Sequence, residues 1–211
     1  MPGRRFTDRR DAGRRLADAL RDVVEPDAVA VGLARGGAPV AAEVAGALGL
    51  DLDVVAVRKI GHPAQPEYAV GAVAPGGPPF IRDRVGLSAA DLERESARAA
   101  QEAARLDAVL HAERPHPDLA GRMCVLIDDG LATGATMVAA VRWARAAGAR
   151  TVVAAVPVGA PESLAALTGE ADSVVCPEAP SRFLAVGAWY DDFRPVEQDE
   201  VLDLMRAREL E

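Results

Sequence analysis

The 211-residue sequence predicts an α/β protein: an open, mainly parallel twisted sheet flanked by helices, with an antiparallel hairpin, a long inserted helix and a small C-terminal hood. Three observations carry this. Short apolar runs recur at residues 28–33, 52–57, 123–127, 151–158 and 173–176. Segments with helical spacing lie between most of them, joined by short Gly- or Pro-marked links. Half of the residues are apolar but only 4% are aromatic, so Val, Leu and Ala must fill the core.

Taken in order, Thr7 or Asp8 can cap a first helix with Ala12, Leu16, Leu20 and Val23 on one face. Residues 28–33 (AVAVGL) read as a buried strand that runs into the turn Ala34-Arg35-Gly36-Gly37. Pro39 marks the next helix start and Gly49 its end. A strand at 52–57 follows, then residues 58–68, whose Gly, Pro, His and Gln content reads as a long loop. Residues 69–74 and 80–84 flank PGGPP as an antiparallel hairpin. Ser88 with Asp91 three residues on is a capping signature, opening a helix to about residue 113. Its seam of Leu92, Ser96, Ala99, Ala103, Leu106 and Leu110 suits packing on the same chain or on a second copy in a homodimer. Strands at 123–127, 151–158 and 173–176 alternate with helices at about 135–148 and 161–168.

The length suits a single domain over 1–211, with a core at about 28–176, a hood at about 177–196 and a terminal helix at about 197–209. A formal net charge of -8 argues against a general nucleic-acid surface. The N-terminal residues lack the apolar stretch of a secretory leader, and no apolar run approaches a membrane span. Cys124 and Cys176 make no disulfide framework, so a reducing cytoplasm is expected. Of the 24 basic residues only Lys59 is a lysine. A compact ammonium is not equivalent to a flat guanidinium, which makes Lys59 a candidate functional residue.

The segment 124–136 (CVLIDDGLATGAT) carries the chemistry. A strand delivers two adjacent acids, Asp128 and Asp129, to its carboxyl end, where open parallel sheets bind ligands. The turn and helix start beyond it offer backbone N–H groups and partial positive charge, which suit a phosphate. The carboxylates would repel a phosphate placed on them and suit sugar hydroxyls or a metal. Gly130 and Gly134 permit the bend, and Thr133 and Thr136 add hydroxyls. A ribose 5-phosphate presents a diol and a phosphate in that order.

This segment resembles the signature of type I phosphoribosyltransferases, which bind 5-phosphoribosyl-1-pyrophosphate (PRPP). The resemblance runs over roughly residues 28–192, but only this segment is specific by itself. It implies that Asp128 and Asp129 hold the ribose hydroxyls, and a metal through water or substrate. Gly130, Leu131, Ala132, Thr133, Gly134, Ala135 and Thr136 would hold the 5-phosphate. Arg35, Gly36 and Gly37 stand where the family binds pyrophosphate, in a turn that often contains a non-proline cis peptide. Residues 58–67 stand where the family has a mobile loop, with Lys59 and Arg58 as its catalytic basic residues. The implied reaction transfers the phosphoribosyl group to a nitrogen acceptor, with Mg²⁺ as cofactor and pyrophosphate released. A regulator that binds PRPP without turnover is the rival reading.

Family members acting on 6-oxopurines usually place an Asp before the Thr-Gly; this chain has Ala132. They also carry a lysine beyond the next strand, where Val158-Gly159-Ala160 stands here. The Ala-Thr-Gly sequence is closer to the adenine type. Phe183, Trp189, Tyr190 and Asp191 are candidate acceptor contacts in the hood, with packing of the aromatics into the core as the alternative. The long helix is similar to that of a bacterial group whose acceptors are poorly assigned.

Overall fold

A computed structural model describes residues 5–84 and 86–207. Five parallel strands form the main sheet in the order β2-β1-β6-β7-β8: β1 (Val29–Leu33), β2 (Asp51–Val55), β6 (Met123–Ile127), β7 (Thr151–Ala155) and β8 (Ser173–Val175). Between β2 and β6 a second, antiparallel sheet holds β3 (Arg58–His62), β4 (Gln65–Val73) and the two-residue β5 (Phe80–Ile81). The helices are α1 (Arg9–Leu20), α2 (Gly37–Leu48), α3 (Ala89–Leu110), α4 (Ala135–Ala146), α5 (Pro161–Leu167) and α6 (Gln198–Ala207). The last two positions of the expected terminal helix, 208 and 209, lie outside the described residues.

β1 and β6 are buried along their full length, as strands covered on both faces must be. One face packs Val31, Leu126 and Val152 against α4 through Met137 and Val141. The other packs Ala30, Val125 and Val153 against α2 and α1 through Val44, Leu16 and Leu20. Each fully buried Leu there contributes roughly 1.5–3 kcal/mol. α1 lies close on α2 because position 13 is glycine: a Cβ on Gly13 would stand 2.8 Å from Val40 O.

The caps agree with the sequence. Asp8, not Thr7, caps α1 by accepting the Asp11 N–H at 2.8 Å. Ser88 and Asp91 form a reciprocal capping box on α3. Gly49 ends α2 in the left-handed region at φ 67°. The α3 seam is covered by its own chain. Ala99 meets Ile60, Val70 and Val73, while Leu106 and Leu110 meet Val54, Val201 and Met205.

The expected loop at 58–68 is a correction. Those residues form β3, a turn at Pro63-Ala64, and the start of β4. Register shifts on either side of Gly61 absorb the irregularity. The buried Ile60 and Val70 anchor the ribbon on α3, and this tertiary contact overrides the local Gly and Pro signals.

Candidate active site

Strand β6 ends at Ile127, and the chain then turns through Asp128 and Asp129 into the approach to α4. Both carboxylates are recessed without being sealed, with 14% of the Asp129 side chain exposed. The Asp129 N–H donates to Asp128 Oδ1 at 2.9 Å, which fixes the pair's geometry. Burial and the neighbouring Asp129 charge push the Asp128 carboxyl well above its ordinary range, opposed by Lys59 and Arg9. Burial likewise raises Asp129, and Arg9 restrains it.

Two anchors of Asp129 escaped the sequence reading. Arg9 Nε donates to Asp129 Oδ2 at 2.8 Å, with both side chains largely buried. Its guanidinium also donates to Arg194 O at 2.8 Å and lies 4.0 Å from the centroid of the Phe193 ring. Tyr190 Oη donates to Asp129 O at 2.6 Å. The sequence holds no signal for the first, because Arg9 is one arginine in an arginine-rich segment.

The Arg35-Gly36-Gly37 turn lies directly against this pair. The Ala34–Arg35 peptide is cis. A Cβ on Gly36 would fall 2.3 Å from Asp129 Oδ2, and one on Gly37 2.3 Å from Ile127 O. Backbone approach therefore requires glycine at position 37, and at position 36 any side chain would have to displace the Asp129 carboxylate. Arg35 is exposed, 3.5 Å from Glu197 Oε2.

Beyond the acids, Gly130 is buried against Val186, which a Cβ would meet at 2.5 Å. Leu131 is also buried, and its N–H is taken by Val158 O at 2.9 Å. Ala132 and Thr133 are exposed, and Ser163 Oγ donates to Ala132 O at 2.6 Å. Gly134 is left-handed at φ 76° and starts α4 with no side-chain cap. Ala135 is buried and Thr136 half-buried. The first N–H groups of α4, with the Thr133 and Thr136 hydroxyls nearby in the chain, form the anion-favouring end of the segment.

Lys59 is exposed on β3 and lines a groove with His62, Glu95, Arg98 and Glu102; its charge also reaches Asp128. Arg58 is half-buried on the same strand. Tyr190 packs with Phe6 and Val158 while Phe183, Trp189 and Phe193 close around them. Its ring is 4% exposed and so unavailable for stacking. Asp191 is exposed, 3.6 Å from Arg5. Burial pushes the Cys124 thiol up to about 12, which removes it as a nucleophile at neutral pH.

Comparison with known proteins shows the family. The phosphoribosyl transferase domain family matches residues 7–191. Rv0571c of Mycobacterium tuberculosis, provisionally named a phosphoribosyl transferase, is 44% identical over 201 residues. That match covers 93% of this chain and 45% of the relative, so the chain spans less than half the length of the curated relatives it matches. A uracil phosphoribosyltransferase from a Nocardioides species is 42% identical over 72 residues, 34% of each chain. The crystal structure of TT1426 from Thermus thermophilus superposes with a TM-score of 0.81 at 44% identity, covering 95% of this chain and 97% of that one. No helix among the described residues is long and apolar enough to cross a membrane. With the paired acids set at the end of a parallel strand against a two-glycine turn, and a family match across most of its length, this chain belongs to the phosphoribosyl transferase domain family.

Proposed function

We propose that the chain transfers the 5-phosphoribosyl group of PRPP to a nitrogen acceptor, a nucleobase, with release of pyrophosphate. The observation that supports this reading best is the contact between the Gly36-Gly37 turn and Asp129, because two adjoining subsites would need such an approach. Asp128 and Asp129 accept the ribose hydroxyls. The uncapped start of α4, with Thr133 and Thr136, receives the 5-phosphate. Arg35 and the Gly36-Gly37 turn take the pyrophosphate, in reach of the ribose because the turn lies on the acids.

The donor set fits Mg²⁺, which prefers carboxylate oxygens and keeps several waters. Asp128 offers hard oxygens, whereas Asp129 has one oxygen already committed to Arg9. When bound, the ion neutralises pyrophosphate charge and screens the two acids from it. The remaining work falls to the chain. Arg9 and Tyr190 hold the Asp129 segment in place, so the diol acceptors are oriented before substrate arrives. Lys59 supplies positive charge as the pyrophosphate departs, from a ribbon fixed by pairing with β4. Phe183 and Trp189 are half-buried in the hood and stand nearest to an acceptor role. No covalent enzyme nucleophile is needed.

The test is pyrophosphate release from PRPP and Mg²⁺ across purines, pyrimidines and simple amines. The short match to uracil enzymes puts uracil first in that series. PRPP with Mg²⁺ should raise the melting temperature by mass action. Asp128→Asn combined with Asp129→Asn should abolish most of that rise. An unchanged shift in the double variant would overturn the assignment.

A further inference from the structure

Away from this site, Asp53 on β2 is the one fully buried charged residue among the described residues. Two of the chain's three histidines converge on it. His111, just past the end of α3, sets Nε2 at 3.0 Å from Asp53 Oδ1. His116, in the loop before β6, sets Nδ1 at 2.6 Å from Asp53 Oδ2. The opposite nitrogens are also engaged. His111 Nδ1 lies 3.0 Å from the Asp107 carbonyl oxygen, and His116 Nε2 lies 3.0 Å from Asp107 Oδ2.

All four ring nitrogens therefore face oxygens that can only accept. A neutral imidazole has one N–H and one lone pair. In each neutral ring one nitrogen would direct its lone pair at a carboxylate or carbonyl oxygen. Hydrogen alone resolves this only with two extra protons, placed on the rings or on the Asp53 and Asp107 carboxyls. Yet their centroids are 3.7 Å apart, and His111 is 7% exposed. Two imidazolium ions stacked so closely repel each other, and that repulsion works against their attraction to the Asp53 and Asp107 carboxylates.

A divalent cation resolves the conflict. We propose that Asp53, His111 Nε2 and His116 Nδ1 bind a transition-metal ion of the zinc class, with Asp107 as their outer support. Both rings are then neutral, each donating its far N–H to Asp107, once to the carbonyl and once to the carboxylate. Metal-bound histidines are commonly oriented by such bonds to carboxylates and carbonyls. Two aspartates and one divalent ion sum to zero charge, as two imidazolium ions would, but without two cations face to face. The candidate ligand atoms lie within 4.8 Å of one another. Ligands sharing one tetrahedral zinc at about 2.0–2.2 Å stand roughly 3.3–3.6 Å apart, so the closest pair must part slightly and the widest must close by up to about 1.5 Å. Asp107 Oδ1 is buried without a hydrogen-bond partner and can accept from a water in the fourth position. The two imidazoles select zinc, cobalt or nickel over magnesium, which separates this site from the oxygen-only donors at Asp128. Bound there, the ion fastens the end of α3 to the edge strand β2.

The experiment uses the intact protein, chelator-treated and then titrated with Zn²⁺ or Co²⁺ alone. One equivalent should bind, and Co²⁺ should give the intense visible bands of a four-coordinate centre. Zinc in hundredfold excess over its Kd should raise the melting temperature by roughly 5–10 °C. Asp107→Asn should weaken binding by about 10–100-fold, and His116→Gln by at least as much. Asp128→Asn with Asp129→Asn should leave zinc binding unchanged, which keeps this result independent of the proposed function. Zinc-edge X-ray absorption on the unaltered protein should find two imidazole ligands and needs no variant to fold. Failure to bind one equivalent, binding unchanged in folded His116→Gln, or fewer than two imidazoles would overturn the proposal in favour of a charged hydrogen-bond network.

Discussion

Replacing Arg9 with methionine keeps an unbranched stem and removes the guanidinium that Asp129 depends on. The Arg9 and Asp129 side chains are only 11% and 14% exposed, and Nε to Oδ2 is 2.8 Å. With charge centres roughly 4 Å apart and an effective dielectric of about 20, their attraction is about 4 kcal/mol. Removing one partner of such a buried pair costs about 3–5 kcal/mol, because the other charge is left unpaired. Loss of the Phe193 contact adds about 0.5–1 kcal/mol. In a domain of this length each kcal/mol lowers the melting temperature by about 2–4 °C. Arg9→Met should therefore melt roughly 7–24 °C below the parent by scanning calorimetry. The cause can be isolated with Asp129→Asn, which removes the stranded charge while keeping the side chain's shape. The double variant should recover part of the loss, with a coupling energy of about 1.5 kcal/mol or more. Costs that simply add, or an Arg9→Met protein melting within about 2 °C of the parent, would refute the reading that Arg9 compensates the burial of the Asp129 carboxyl.

Gly37→Ala sets a methyl 2.3 Å from Ile127 O and 3.0 Å from Asp128 Cα, both backbone atoms that cannot rotate away. It should cost about 1–3 kcal/mol in urea unfolding and displace the acid pair. Ser88→Ala removes one half of the α3 capping box and should cost about 1 kcal/mol, read as a lower urea midpoint at constant slope. On the proposed function, Lys59→Ala should keep the PRPP-dependent rise in melting temperature while slowing pyrophosphate release. Full turnover in Lys59→Arg would show that a compact ammonium is not what the site requires.

The parts of the site that a sequence reader can find are those written consecutively. Strand, paired acids, glycine turn and helix start occupy 124–136 without interruption, so one window holds both the periodicity and the chemistry. The Gly36-Gly37 turn is legible for the same reason, following an apolar strand directly. What is not legible is whatever depends on distant partners. Residues 58–68 read as a loop because Gly61 and Pro63 dominate locally, while the contact that makes them strands comes from Ala99 on α3. Tyr190 reads as core slightly better than as a stacking ring, and the sequence alone does not decide it. Its burial follows from Phe6, at the other end of the chain, pairing its backbone with Trp189. Arg9 and Asp129 are 120 positions apart. Asp53 sits in DLDVV as an ordinary alternating polar residue, and only the packing of α3 shows that it is fully buried.

These distant partners also change where the domain's core should be drawn. The sequence places it at about 28–176, the five-stranded sheet with its inserted ribbon and helix. That span contains both Asp53 and Asp129, and their compensation has different origins. Asp53 is answered from within, by histidines at the end of α3 and in the loop that follows. Asp129 is answered from outside, by Arg9 on α1 and by Tyr190 in the hood, which are themselves tied together through Phe6 and Phe193. A sheet without these outer segments would carry a recessed carboxylate pair with neither its guanidinium nor its backbone brace. Burial without compensation is the unfavourable state for a charge, so the outer segments belong to the same cooperative unit as the strand they support. The hood and the N-terminal helix are thus part of what makes two adjacent acids tolerable at the end of β6, and with them the binding site that those acids define.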